Sequence, residues 1–261
     1  PDRRRARARG GRGRMSGPAS VRLGTIAGAP VRLSWSWLLI AAVITLAFGP
    51  QIQRALPSLG GGAYAVALGY AVLLALSVLV HEAAHALTGR AFGQRTEEIA
   101  LTLWGGHTQF RSPSARPLDT VLTAMAGPAA NLVLAGLAHL AARAVPGPSV
   151  PALLLEVTVW ANLLLAAFNA LPGTPLDGGR MVESAVWAAT GSRPRGTVAA
   201  GWAGRVLATG PGPDRLPHPL GGARHRDVVD AQVTHGVDDG VDAGSLAETQ
   251  LMLSAWVPEP A

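Results

Sequence analysis

AYAVALGYAVLLALSVLVHEAAH, residues 63–85, decides the reading of this chain: an uncharged apolar run that ends in His81-Glu82-Ala83-Ala84-His85. On a helix, residues four apart share a face one turn apart, so the imidazoles of His81 and His85 can grip one metal ion. Glu82 stands beside them, placed to take a proton from a metal-bound water. The run from Ala63 to Val80 approaches the roughly 20 residues that cross a bilayer. The H-E-x-x-H chemistry is therefore expected at the end of a transmembrane helix rather than on a globular one.

Composition points the same way. Of 261 residues, 49% are hydrophobic and 15% charged, well below the ~25% charged of an ordinary soluble domain. There is no cysteine, which excludes a thiol nucleophile, a disulfide framework and Cys-ligated zinc. Any metal must be held by His, Asp, Glu or water. The net charge of +6 comes with seven arginines inside residues 3–14. This Gly- and Ala-rich stretch without aromatics reads as a disordered basic flank rather than a nucleic-acid arm. Met15 is a plausible natural start.

Three further apolar segments are expected to span: Leu33–Phe48, with Trp35 and Trp37 at its start, Val121–Ala142, and Pro151–Leu171. The second and third of these contain Gly127, Pro128 and Asn131, and Glu156, Asn162 and Asn169. Arg22 and Arg32 precede the first span. Arg90, Arg95, Arg111 and Arg116 lie between spans two and three, and Arg180, Arg193 and Arg195 follow span four. The opposite loops carry only Arg54 and Arg143. This alternation expects a multi-pass protein of the cell membrane with a cytoplasmic N-terminus and His81 and His85 towards the cytosolic side.

Between spans two and three, alternating residues flank Gly105-Gly106 in the stretch 99–110, which expects a small membrane-associated β-hairpin. Its strand edge must rest on protein or line a wet cavity, and such an edge could pair with an extended peptide. An ordinary interfacial loop is the competing reading. The fold class is thus all-α polytopic, with four transmembrane helices, a partial fifth from Arg195, and this hairpin. Domain boundaries are expected at 1–20 (basic disordered flank), 21–210 (core) and 211–261. The last stretch is Pro-, Gly-, Asp- and His-rich without periodicity, and reads as a disordered or frame-shifted tail that leaves the core truncated.

A catalytic zinc takes three protein ligands and keeps one position for water. Asp177 is the best third ligand. It lies in NALPGTPLDGGR, residues 169–180, where Pro172 and Pro175 break the helix and Gly178-Gly179 allow close backbone approach. Taken alone, Asp177 also reads as the N-cap of a helix over residues 179–189, and it could do both. His107 reads as a solvated turn residue or one approaching the metal, His139 as a packing residue, and Glu156 as a carboxylate reaching the headgroups. Asn131 and Asn169 lie deeper, where an amide could bond another helix or a substrate backbone.

Together these motifs resemble the site-2 protease family of intramembrane zinc metalloproteases. HEAAH resembles its metal-binding motif, FNALPGTPLDGGR (168–180) its second motif, and AGPAANL (126–132) is similar to the stretch of its intervening helix. Residues 15–40 are similar to the start of bacterial members that carry CBS domains. The resemblance implies Zn2+ bound by His81, His85 and Asp177, Glu82 as general base, and cleavage of a membrane-spanning protein substrate near its cytosolic side. Such a substrate is often a membrane-held regulator such as an anti-sigma factor. No nucleic-acid partner is expected. Gly105, Gly106, Asn131 and Asn169 are expected to shape the site or hold substrate. Two other readings compete: a truncated homologue that binds zinc and client helices without cleaving, and a metal-ion transporter.

Overall fold

A computed structural model describes residues 20–103, 105–111 and 114–209; the basic flank and the tail from residue 210 lie outside them. The chain opens with strands β1 (Ser20–Ile26) and β2 (Ala29–Ser34), followed by helices α1 (Trp37–Ala55) and α2 (Gly62–Ala91). Strands β3 (Thr96–Thr102) and β4 (Gly105–Phe110) come next. Helices α3 (Pro117–Ala142), α4 (Val150–Asn169), α5 (Asp177–Thr190) and α6 (Arg193–Thr209) complete the described fold. Helices α1 to α4 are long and apolar enough to cross a membrane. Helix α6 occupies the stretch where a partial fifth span is expected and is not among these four.

Helix α2 is the spine. Its 30 residues make a rod about 45 Å long, longer than the hydrocarbon layer. Its buried residues form one stripe: Ala63, Ala67, Tyr70, Ala71, Ser77, Val78, His81, Glu82, His85, Ala86 and Gly89. Steps of three and four keep them on one side of the helix. The stripe begins with small side chains, which let backbones approach where lipid offers no hydrophobic drive for helix association. Ile52 of α1 packs there on Ala63, Ala67 and Tyr70, with Leu153 and Val157 of α4 against the same cluster. A Cβ on Gly49 would lie 2.5 Å from the Tyr64 ring, so α1 meets α2 at a glycine. Between α1, α2 and α4 lies a cavity of about 880 Å3, lined by Phe48, Tyr70, Glu156 and Trp160 among others. This is where Glu156 sits.

The expected hairpin is half of a larger element. The strands form one four-stranded sheet in the order β1-β2-β3-β4. β2 runs parallel to β3, with Val31 opposite Ile99 and Leu33 opposite Leu101. β3 and β4 are antiparallel, with Leu101 opposite Gly106. The first hairpin turns at Ala27-Gly28, both at positive φ (54° and 88°), as a two-residue turn matching strand twist requires. The apolar pattern of the sequence expects a span to begin at Leu33. Leu33 instead belongs to β2, and α1 runs from Trp37 past Pro50 to Ala55. Ala-Gly is not the Asn-Gly or Asp-Gly signature of a hairpin, and β1 is largely exposed, so the β1–β2 hairpin carries no strong local signal. Val31 and Ile99 pack with Ala86, which seats the sheet on the half of α2 that carries His81 and His85.

Candidate metal centre

Three chain segments converge at the buried stripe of α2. His81, Glu82 and His85 are each 5% exposed. Asp177 reaches them from 96 residues away: its Oδ2 lies 3.0 Å from His81 Nε2 and 3.2 Å from His85 Nε2. The two Nε2 atoms are 3.0 Å apart. Among the described residues this is the one grouping of His, Asp and Glu ligand atoms close enough to share an ion.

Hydrogen bonds on the far side of each ring define which nitrogen faces the centre. His81 Nδ1–H donates to Asn131 Oδ1 at 2.5 Å, and His85 Nδ1–H donates to the Thr123 carbonyl at 2.7 Å. Both partners accept only, so each Nδ1 carries a hydrogen and each Nε2 of a neutral ring is left as a lone pair. Two lone pairs and a carboxylate oxygen about 3 Å apart repel one another unless positive charge sits among them. Four ligands at zinc distance around a tetrahedral ion lie roughly 3.3 Å apart. The spacing and the N, N, O donor set therefore fit a divalent zinc-like cation.

The loop from α4 delivers Asp177. Leu176, not Asp177, is the N-cap of α5; Asp177 is the first helical residue and caps nothing. Its carboxylate turns to the histidines instead. Gly178 permits this: a Cβ there would collide with the carbonyls of Ala170 and Leu171, and one on Gly179 would lie 2.6 Å from the Gly173 carbonyl carbon. Helix α3 approaches from another side. A Cβ on Gly127 would lie 2.6 Å from both Cε1 and Nε2 of His81 and would collide with His85 Nε2.

Strand β4 lies over Glu82. Alternation turns Gly106, Thr108 and Phe110 towards α2 and leaves His107 and Gln109 exposed. A Cβ on Gly106 would lie 2.6 Å from Glu82 Cγ and Oε1, and Phe110 packs into the gap left by Gly89. Thr108 Oγ1 donates to Glu82 Oε2 at 2.7 Å. This bond holds the carboxylate beside the triad. Thr108→Val is expected to lower turnover about 10-fold or more with bound metal unchanged, because a hydrogen bond to a charged group is worth roughly 1.5–3 kcal/mol. Thr108→Ser should retain activity; equal turnover in the Val variant would refute the role.

Of the sequence-derived candidates, the structure brings together His81, Glu82, His85, Asp177, Gly106 and Asn131. Gly105 takes φ 113° at the strand start and meets no side chain through its Cβ direction. Asn169 donates to the Leu165 carbonyl of its own helix. His107 and His139 are exposed. The residues not singled out as site members are Thr108, Thr123, Gly127 and Asn162. Gly127 stood within the AGPAANL motif, and Thr108 faced inward by simple alternation from Gly106. Nothing local marked Thr123.

Residues 69–152 and 148–209 match the sequence model of Peptidase family M50. The chain is 38% identical over 197 residues to a protein named zinc metalloprotease Rip3 from Mycobacterium tuberculosis, covering 72% of this chain and 49% of that one. It is 37% identical over 191 residues to a protein from Synechocystis named zinc metalloprotease sll0528, covering 71% and 49%. The chain thus spans about half the length of these relatives. Its fold is similar to the site-2 protease from Methanocaldococcus jannaschii, with a TM-score of 0.51, 25% identity, and coverage of 73% of this chain and 82% of that one. Four helices long and apolar enough to cross a membrane, one of them carrying H-E-x-x-H, give this chain the architecture of a multi-pass membrane protein. The chain belongs to peptidase family M50, the site-2 protease family.

Proposed function

We propose that this protein is an intramembrane zinc endopeptidase that cleaves membrane-spanning protein substrates. The observation that carries the reading is the convergence of His81 Nε2, His85 Nε2 and Asp177 Oδ2 within 3.2 Å, with the Glu82 carboxylate on the same buried face of α2. Zinc bound by these three would supply a water of lowered pKa and polarise the scissile carbonyl. Glu82 takes the proton of the attacking water and passes it to the leaving nitrogen. Thr108 keeps that carboxylate in place between the two transfers.

A helical substrate hides its amides and must be extended before it can be cut. β4 is an edge of the sheet, and it lies directly over Glu82. An unwound substrate segment adding to this edge would gain backbone hydrogen bonds and pass the catalytic carboxylate. Gly106 keeps the strand close at that point, and Gly105 lets the chain enter it at positive φ. Asn169, the last residue of α4, is read as a residue that holds the unwound segment through its side-chain amide. The arginine distribution supports a cytoplasmic N-terminus and a site near the cytosolic face of the bacterial cell membrane. A membrane-held regulator of the anti-sigma type fits as substrate.

The test is cleavage of a tagged single-span substrate in proteoliposomes. Chelation should abolish the product and added Zn2+ should restore it. Cleavage that survives complete metal removal would refute the reading.

A further inference from the structure

Each candidate metal ligand on α2 has its tautomer determined by a backbone carbonyl, but by different routes. For His85 the carbonyl of Thr123 does it directly. For His81 the partner is the side-chain amide of Asn131, and an amide turned by 180° has the same shape but presents a donor. Packing alone cannot choose between the two; hydrogen bonds must. Asn131 Nδ2 donates to Asn162 Oδ1 at 2.7 Å, and both residues are fully buried. Asn162 Nδ2 in turn donates to the Thr158 carbonyl at 2.8 Å and to Ser77 Oγ at 2.9 Å.

The Thr158 carbonyl can only accept, so it orients Asn162. Asn162 then presents its oxygen to Asn131, which must present its own oxygen to His81. The Ser77 hydroxyl can donate or accept and therefore dictates nothing. Were Asn131 reversed, its NH2 would face His81 Nδ1, the ring hydrogen would move to Nε2, and the ligand lone pair would be lost.

The geometry points to Asn162 as a positioning residue for the metal: through Asn131 it transmits the polarity of a backbone carbonyl in α4 to His81, holding Nε2 free for the ion. This rests on reading His81, His85 and Asp177 as the metal centre. Outer partners of metal-bound histidines typically govern affinity by about 10–100-fold.

The test is Zn2+ affinity of the purified full chain in detergent, measured by competition with a chromophoric chelator. Asn162→Leu should weaken binding by about 10–100-fold. Asn162→Asp keeps an acceptor for Asn131 and should bind like the unsubstituted protein. Ser77→Ala removes an equally buried polar group without polarity information and should also bind normally. Full affinity in Asn162→Leu, or equal losses in the Leu and Asp variants, would overturn the inference. Should Asn162→Leu fail to fold, Asn162→Ala takes its place with the same two outcomes. A His81→Ala control separates the two levels. If that variant binds Zn2+ normally, the metal-centre reading itself fails; if it does not, a failure concerns Asn162 only.

Discussion

Glu82→Gln is expected to leave zinc bound and to reduce cleavage by about 10²–10⁴-fold, the usual weight of a general acid–base group. The ligand atoms belong to His81, His85 and Asp177, so removing the Glu82 charge does not dismantle the centre. Glutamine keeps the volume, and its amide oxygen can still accept the Thr108 hydroxyl now bonded to Oε2 at 2.7 Å. What is lost is a group able to take the water proton and return it to the leaving amine. Metal content by elemental analysis and cleavage of a single-span substrate, measured on one preparation, check this. An active Glu82→Gln protein would rule out the proposed mechanism, and a metal-free one would make Glu82 a structural element of the site.

The second large effect is expected at a residue with no chemistry of its own. Gly127→Ala adds one methyl where His81 ring atoms stand 2.6 Å away. The rings cannot yield without abandoning Asp177, and α3 cannot yield without releasing the Thr123 and Asn131 bonds that orient those rings. Misplacing a catalytic centre by about 1 Å costs on the order of 10²-fold in rate, and bound zinc should fall with it. Gly136 is the control. It lies on the same helix, and a Cβ there meets nothing within 4 Å, so Gly136→Ala should leave metal and activity intact and favour the helix by up to ~1 kcal/mol. Zinc stoichiometry of the two variants decides the matter; equal stoichiometry would show that α3 does not press on the histidines.

The parts of this protein that could be read early are those governed by short-range periodicity. Apolar length marked the four spanning helices, and the placement of His81 and His85 on one face follows from helical pitch. Asp177 could be nominated because a zinc needs a third ligand and irregular backbone between helix-breaking prolines and paired glycines is tolerated at membrane depth where it lines a functional cavity. The sheet was half visible. β3 and β4 flank a glycine pair, but β1 and β2 turn at Ala27-Gly28, β1 is largely exposed, and each of the two strands sets an arginine among apolar residues. The start of α1 was misplaced because Leu33 continues an apolar pattern into what is a strand.

By itself the sequence determined a membrane-embedded H-E-x-x-H helix and the donor types available to a metal, because side-chain chemistry and helical pitch are local properties. Only the tertiary structure decided that Asp177 turns away from capping its helix, that Thr108 holds Glu82, and that Asn162 stands behind Asn131 and His81. Those pairings join residues tens of positions apart through helix packing and glycine contacts. An asparagine within an apolar span carries no local mark of which helix its amide will meet.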